Sequence, residues 1–417
     1  MVSCAVPAAL IDDADEVAAV AAAIAESPLA AFDLEFLAQD RLVPTLCVVQ
    51  VAWLPKHVRL DVAADAIVAA RPETALVDPL AVDARPLLTA LAAHPRVVAH
   101  APRQDLGLLA TRFGIAIPQI ADTQVMAAFA GIGDQVGFAA LANDFLGLSL
   151  GKELQWTDWA QRPLSDAQLA YAESDVLHLP ALFALLRDRL GPRLAWALAE
   201  STQVAADAVA ASQVTPETAW RQVSARGLDT AAMAALIEVA AWRHRTAIAL
   251  DRPLGQVLNE KLVLDLARNR PFDSGGVRAL KGLSSIAKSR ADEIVTAIAA
   301  ADPAAVPPRI ASKGAPSIRA QRWAEILLAI VQVVAEKSGV AARLLATRSD
   351  AEEFARAVDE NGLVAAETLP ALATWRREVL GETWLAWLSG KLVLAGDATA
   401  PSGVKLVELS ALSPRDP

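Results

Sequence analysis

Two carboxylates set two residues apart in an otherwise apolar run, Leu29-Ala30-Ala31-Phe32-Asp33-Leu34-Glu35-Phe36-Leu37, constrain this chain more than any other feature. Successive side chains of a strand point to opposite faces, so Asp33 and Glu35 fall on the same side of a sheet. Like charges side by side in an apolar strand repel each other and resist desolvation, and a cation removes both penalties. The pair therefore asks for a metal. A solvated edge strand is the bland alternative, and flanking Phe32, Leu34 and Phe36 argue against it.

The rest of the chain supplies partners. Tyr171, the only tyrosine, stands four residues before Asp175 in Tyr171-Ala172-Glu173-Ser174-Asp175, a spacing that shares one helix face. Asp105 lies in His100-Ala101-Pro102-Arg103-Gln104-Asp105-Leu106, directly after the β-rich Arg96-Val97-Val98-Ala99; taken alone it reads as the cap of a helix. His100 reads as a buried strand-end residue rather than a base, and Asp122 as a helix N-cap. Together with Asp122-Thr123-Gln124 and the run Gln155-Trp156-Thr157-Asp158-Trp159-Ala160-Gln161-Arg162-Pro163-Leu164-Ser165, these segments make roughly the first half of the chain resemble the DEDDy 3′→5′ exonucleases, and within them the ribonuclease D family.

That resemblance implies an α/β ribonuclease H-like domain, a mixed sheet with flanking helices, that hydrolyses phosphodiesters with two divalent ions. Asp33 would bridge both ions, Glu35 and Asp175 would complete the nucleophile side, and Asp105 would hold the second ion, in part through water. Tyr171 would orient the attacking water. Hard oxygen donors suit Mg²⁺ or Mn²⁺, and no Cys or His cluster suggests zinc. A phenol with an ordinary pKa of about 10 is mostly neutral, so Tyr171 is not expected to generate the hydroxide itself. The implied activity is exoribonucleolytic trimming of tRNA precursors and other small structured RNAs to nucleoside 5′-monophosphates. A 3′→5′ DNA exonuclease and a non-catalytic RNA-binding scaffold are the rivals.

A net charge of −10 and a pI near 5.1 argue against a protein that coats itself with nucleic acid, since such binding leans on Lys and Arg. Local basic groups can still hold a substrate. Gln104, Lys152 and Arg162 are candidates for RNA contacts near the carboxylates, and Arg243-His244-Arg245, Arg268 with Arg270, and Lys281, Lys288 and Arg290 for a phosphate-tracking face. Equally, these are ordinary solvated charges.

At 417 residues the chain exceeds one core, so several domains are expected. Residues 30–37, 46–53, 58–62 and 75–77 read as strands, 83–93 as a helix, 97–100 as a strand and 103–113 as a helix; the helical pattern from 165 to 189 is expected to break at Pro192. The exonuclease domain is placed at 1–205. A helical block at 206–301, with turns at Arg252-Pro253-Leu254-Gly255, Arg270-Pro271 and Gly275-Gly276, resembles the HRDC domain, a small nucleic-acid-binding or docking module. A Pro-rich linker at 302–317, a second, more divergent HRDC-like block at 318–396 and a frayed tail at 397–417 complete the division. No apolar run reaches bilayer length, the start lacks the basic character of a secretory signal, and Cys4 and Cys47 make no disulfide framework. A cytoplasmic monomer is the expectation.

Overall fold

In the computed structural model the described residues are 9–38, 40–151, 154, 157–225, 227–307, 316–366, 369 and 372–409. Six strands make one mixed sheet: β1 (Leu10–Ile11), β2 (Ala30–Leu37), β3 (Thr45–Trp53), β4 (Glu73–Val77), β5 (Val97–Ala99) and β6 (Ile120–Asp122), in the order β1-β4-β3-β2-β5-β6. β2, β3 and β4 form an antiparallel meander; β5 adds parallel to β2, and β6 parallel to β5. Directly opposed residues of antiparallel strands share a face. The pairs Ala31↔Ala52, Asp33↔Gln50 and Glu35↔Val48 therefore define one side of the sheet.

Among the described residues the α-helices of this half are α1 (Ala14–Glu26), α2 (Ala64–Ala69), α3 (Arg85–Ala93), α4 (Arg103–Phe113), α5 (Thr123–Phe129), α6 (Phe138–Leu146), α7 (Asp166–Leu177), α8 (Leu179–Leu190) and α9 (Leu194–Ser212). Phe32, Leu34, Val49 and Val51 pack with Val17, Ile24, Leu87 and Leu91 of α1 and α3 on the far side of the sheet. The carboxylate side is covered by α7, α8 and α5 through Ala172, Val176, Phe183 and Met126. A Ser165–Gln168 capping box fixes the start of α7, and with it the angular position of Tyr171 and Asp175.

One local expectation fails for an identifiable reason, and another holds more narrowly than expected. Residues 58–62 form no strand: the carbonyls of Leu60 and Val62 accept from the Arg187 guanidinium, so the apolar alternation of Val58, Leu60 and Val62 reflects packing against the core rather than a ladder. The helical run breaks where expected, α8 ending at Leu190 and Gly191 taking φ 53°, but only for the 3₁₀ turn Gly191–Arg193, in which Pro192 needs no N–H; α9 follows from Leu194 and runs across the boundary placed at 205. The stretch Asp166–Ser212 is thus long and apolar enough to cross a membrane by length and composition, contrary to the sequence reading. Here its inner faces are core.

The HRDC-like block holds α10 (Thr230–Leu250), α11 (Leu254–Val257), α12 (Glu260–Asn269), α13 (Ser274–Arg278), α14 (Ser285–Ser289) and α15 (Ala291–Ala299). Gly275 and Gly276, expected in a turn, lie inside α13, whose first turn Asp273 caps through the Gly276 N–H. The third block contains α16 (Ile318–Ser338), α17 (Ala342–Leu345), α18 (Arg348–Asn361) and a run that passes from Thr374–Arg376 through a π-helical turn, Arg377–Gly381, into Glu382–Leu388. A hairpin of β7 (Leu392–Gly396) and β8 (Val404–Glu408) replaces the frayed tail as far as residue 409. Its Asp397 and Gly403 close the turn with a 2.9 Å backbone bond. Residues 308–315 of the expected linker lie outside the described residues.

Candidate active site

Asp33 and Glu35 project from β2, Tyr171 and Asp175 from successive turns of α7, and Asp105 from the first turn of α4. Asp33, Tyr171 and Asp175 line a cavity of about 150 Å³ with His100, Phe138 and Leu179. The carboxylates feel one another strongly. Burial, and then the charges of Asp33, Asp175 and Asp105, push Glu35 up to about 9. Burial and the Asp33 charge push Asp175 up to about 8, partly offset by a hydrogen bond from the Tyr171 hydroxyl. Burial lifts Asp33 to about 7 and, with the Asp33 charge, lifts Asp105 well above the usual carboxylate range. The Tyr171 phenol rises too, through burial and the surrounding carboxylates, and is therefore neutral.

Asp105 is not the helix cap that its position suggested: α4 has no side-chain cap, and this carboxyl is buried toward Asp33 instead. Asp122 does cap α5, accepting from the Gln124 N–H at 2.8 Å and also from Ala101 at 2.9 Å. The His100 Nδ1 lies 2.9 Å from Thr123 Oγ1, and burial drives the ring down to about 4, so it stays neutral.

The candidate RNA contacts fare differently. Gln104 is exposed one residue before the buried Asp105. Lys152 lies outside the described residues. Arg162 spends its donors on architecture: Nε and Nη2 clamp Asp78 at 2.6 and 2.7 Å, Nη1 reaches the Trp159 and Gln161 carbonyls, and Nη2 the Cys47 carbonyl. A guanidinium has five N–H donors, and none is left for a phosphate. In the helical block Arg243 and His244 are buried and leave the supposed basic face, whereas Arg245, Arg268, Lys281 and Lys288 are exposed. Sequence reasoning overlooked Gln50, wholly buried opposite Asp33; its signal was a lone polar residue in the apolar run Cys47-Val48-Val49-Gln50-Val51-Ala52.

Four clustered carboxylates held near neutrality fit hard divalent cations, which would offset their repulsion with the ligand type that Mg²⁺ and Mn²⁺ prefer. Among the described residues no three acidic, His or Cys side chains already stand as a finished coordination set.

A mixed sheet bearing this acidic cluster beside a tyrosine, followed by a compact helical module, defines a 3′→5′ exonuclease. The family model for the 3′-5′ exonuclease matches residues 8–191 and that for the HRDC domain residues 232–298. The chain is 33% identical over 395 residues to ribonuclease D of Acidiphilium cryptum, covering 93% of this chain and 94% of the relative. With ribonuclease D of Gluconacetobacter diazotrophicus it shares 32% over 401 residues, 94% and 95% of the two chains. The crystal structure of Escherichia coli RNase D, described as an exoribonuclease involved in structured RNA processing, superposes with a TM-score of 0.75 at 26% identity, covering 91% of this chain and 99% of that one. The chain belongs to the ribonuclease D family. It is a 3′→5′ exoribonuclease, and nucleic acid is its substrate.

Proposed function

We propose that this enzyme trims the 3′ ends of small structured RNAs, tRNA precursors among them, as a cytoplasmic monomer that uses two divalent ions, Mg²⁺ or Mn²⁺, held by Asp33, Glu35, Asp105 and Asp175. The observation that carries the reading is the convergence of these four carboxylates and the Tyr171 hydroxyl from β2, α4 and α7, where burial and the carboxylates' mutual charges raise the pKa values of the acids. Bound there, divalent ions supply hydroxide near neutral pH and offset charge on the departing 3′ oxygen. The protein's own groups do the rest. Tyr171, neutral and hydrogen-bonded to Asp175, holds a water in line without itself losing a proton. Phe138 and Leu179 form the cavity's apolar wall, which keeps bulk water off the reacting bond. The relative described as acting in structured RNA processing supports the choice of substrate.

The test is one assay. A 3′-labelled tRNA precursor and the matching DNA strand are incubated with and without Mg²⁺ or Mn²⁺. Release of 5′-monophosphates from the RNA alone, and only with metal, is the expected result. Equal attack on the DNA strand would replace RNA trimming with DNA exonuclease work, and tight binding without turnover would leave the scaffold reading.

A further inference from the structure

Gln50 lies at the centre of β3 with no exposed surface, and neither its Oε1 nor its Nε2 has a hydrogen-bond partner. Buried amides are nearly always paired, so one that is orphaned at both ends points to a partner supplied under other circumstances. The sheet register says which groups lie within reach. Along its own strand, the neighbours of Gln50 on this face are Val48 and Ala52; across to β4 the neighbour is Leu76. Across to β2 it is Asp33, directly opposite, with Glu35 on the diagonal. Cβ atoms in such a pair stand ~4.5–5.5 Å apart, close enough for a glutamine amide to reach the carboxylate by a rotamer change. The helix above contributes apolar Ala172 and Val176 at the sheet. The acceptor directly opposite Gln50 is thus Asp33 of the catalytic cluster; on the diagonals stand Glu35, Thr74, whose hydroxyl donates to Glu173 at 2.7 Å, and Asp78 just past β4, which Arg162 clamps.

We propose that Gln50 is a positioning residue of the nuclease site, whose Nε2–H donates to the Asp33 carboxylate when divalent cations are held there and fixes the direction in which that carboxylate presents its oxygens. The inference rests on the metal reading of the site. A ligating carboxylate must turn specific lone pairs toward an ion, and a buried donor behind it restricts that rotation; outer partners of this kind are worth roughly 10–100-fold in metal affinity or activity. Sequence position supplies the donor economically, because the same pleat that aims Asp33 at the cavity aims Gln50 at Asp33.

The test compares Gln50→Leu, similar in volume and without polar atoms, with the wild type in full-length protein. Thermal unfolding is followed across a Mn²⁺ titration. The metal-free melting temperature should match or exceed wild type, since an orphaned amide is removed, while the Mn²⁺ concentration giving half of the metal-induced shift rises at least tenfold. Hydrolysis of a 3′-labelled oligonucleotide should fall at low Mn²⁺ and recover in part as Mn²⁺ is raised. A wild-type Mn²⁺ midpoint overturns the proposal, as does a lowered metal-free melting temperature with an unchanged midpoint, which would make the amide structural. If Gln50→Leu does not fold, Gln50→Met is read by the same criteria. Asp33→Asn run alongside separates the two ideas: a wild-type Mn²⁺ response in that variant refutes the metal reading itself, whereas its loss together with a normal response in Gln50→Leu refutes only the role of Gln50.

Discussion

The two helical blocks that follow the nuclease domain are attached to it in opposite ways. The HRDC block encloses a core of its own, in which Leu236, Val239, Leu262, Val263, Leu266 and Ile294 are wholly or almost wholly buried. Among the described residues its seam with the nuclease is carried by the 40–42 segment: Leu42 packs against that core, Asp251 accepts from the Leu42 N–H at 3.2 Å, Gln256 donates to the Asp40 carboxylate at 2.6 Å, and Arg41 lies 3.6 Å from Asp251. The third block has no such independence, because Leu327, Ile330, Phe354 and Trp384 share one continuous core with Phe129, Leu182 and Phe183 of the nuclease. Trp375 packs edge-on to Phe129 at 4.7 Å and donates to the buried Glu200 carboxylate at 3.2 Å, which Arg376 also grips at 2.7 Å. Backbones touch as well. A Cβ on Gly131 would meet the Gly339 carbonyl at 3.0 Å, and both glycines have positive φ, so the contact admits no larger residue at either place. Two segments similar in composition therefore serve as a docked module and as part of the nuclease's own wall.

The largest effect sets the scale for the others. Asp33→Asn should abolish turnover, because an amide cannot replace the charge the cations need, yet the protein should melt no lower than wild type in the absence of metal, since a repulsion is relieved. More than about a tenth of the wild-type rate at saturating Mn²⁺ would sink the assignment, as losing a metal ligand should cost far more. Trp375→Ala should then cost the nuclease about 3–5 kcal/mol although it lies outside the catalytic cluster. Leu236→Ala removes a comparable amount from the HRDC core and should leave the nuclease transition and the hydrolysis of short oligonucleotides untouched. Calorimetry of the two variants breaks the comparison if both shift the same transition.

Tyr171→Phe is expected to lower the rate on the order of 10²-fold with metal affinity almost unchanged. A fully active variant would make Tyr171 a packing residue against Trp159, whose ring centroid is 6.0 Å away.

Protonation gives a further handle that belongs to the nuclease alone. Asp33, Asp175 and Glu35 keep their protons to about 7, 8 and 9 in the folded chain, against 3.8, 3.8 and 4.5 in an ordinary setting. Between about pH 4 and 9 the folded state binds more protons than the unfolded one, so this contribution to stability is full below about 4 and is lost as pH rises through 7 to 9. Metal-free protein should melt lower at pH 9 than at pH 6, and Mn²⁺ should bind more tightly at the higher pH because it no longer competes with protons. A flat metal-free profile in wild type, or an unchanged slope in Asp33→Asn, would contradict the clustering. The smallest effect belongs to the seam: Gln256→Ala breaks one exposed contact and should change stability by less than about 1 kcal/mol, with hydrolysis of short oligonucleotides unaltered.

The local parts of this architecture were legible. β2 occupies residues 30–37 as its apolar pattern required, and the i, i+4 spacing of Tyr171 and Asp175 needed only a helix to become a shared face. What escaped was long-range. Nothing near Arg162 announces Asp78, 84 positions away, so a buried clamp looked like a free cation. Val58, Leu60 and Val62 alternate like a strand because one side of an irregular segment packs inward, and periodicity cannot tell a ladder from a single buried edge. That the third block shares its core with the nuclease was equally out of sight, since amphipathic helices announce that a face will be buried, never against what. The hairpin Leu392–Gly396/Val404–Glu408 was lost in a segment whose Gly, Pro and Ser content suggested fraying, although Gly396 and Gly403 are what its turn requires.

The fused third block also imposes an order in time. Glu200 waits for Trp375, 175 residues later in the chain, before its buried carboxylate is satisfied. At about 5–20 residues per second, synthesis of that stretch takes roughly 10 to 35 s. Throughout that interval the catalytic carboxylates are already made but one flank of the core beneath them is open. The nuclease core is thus completed only once the Thr374–Leu388 run has been made, and a chain ending before it would leave Phe129 and the Glu200 carboxylate without the partners that cover them.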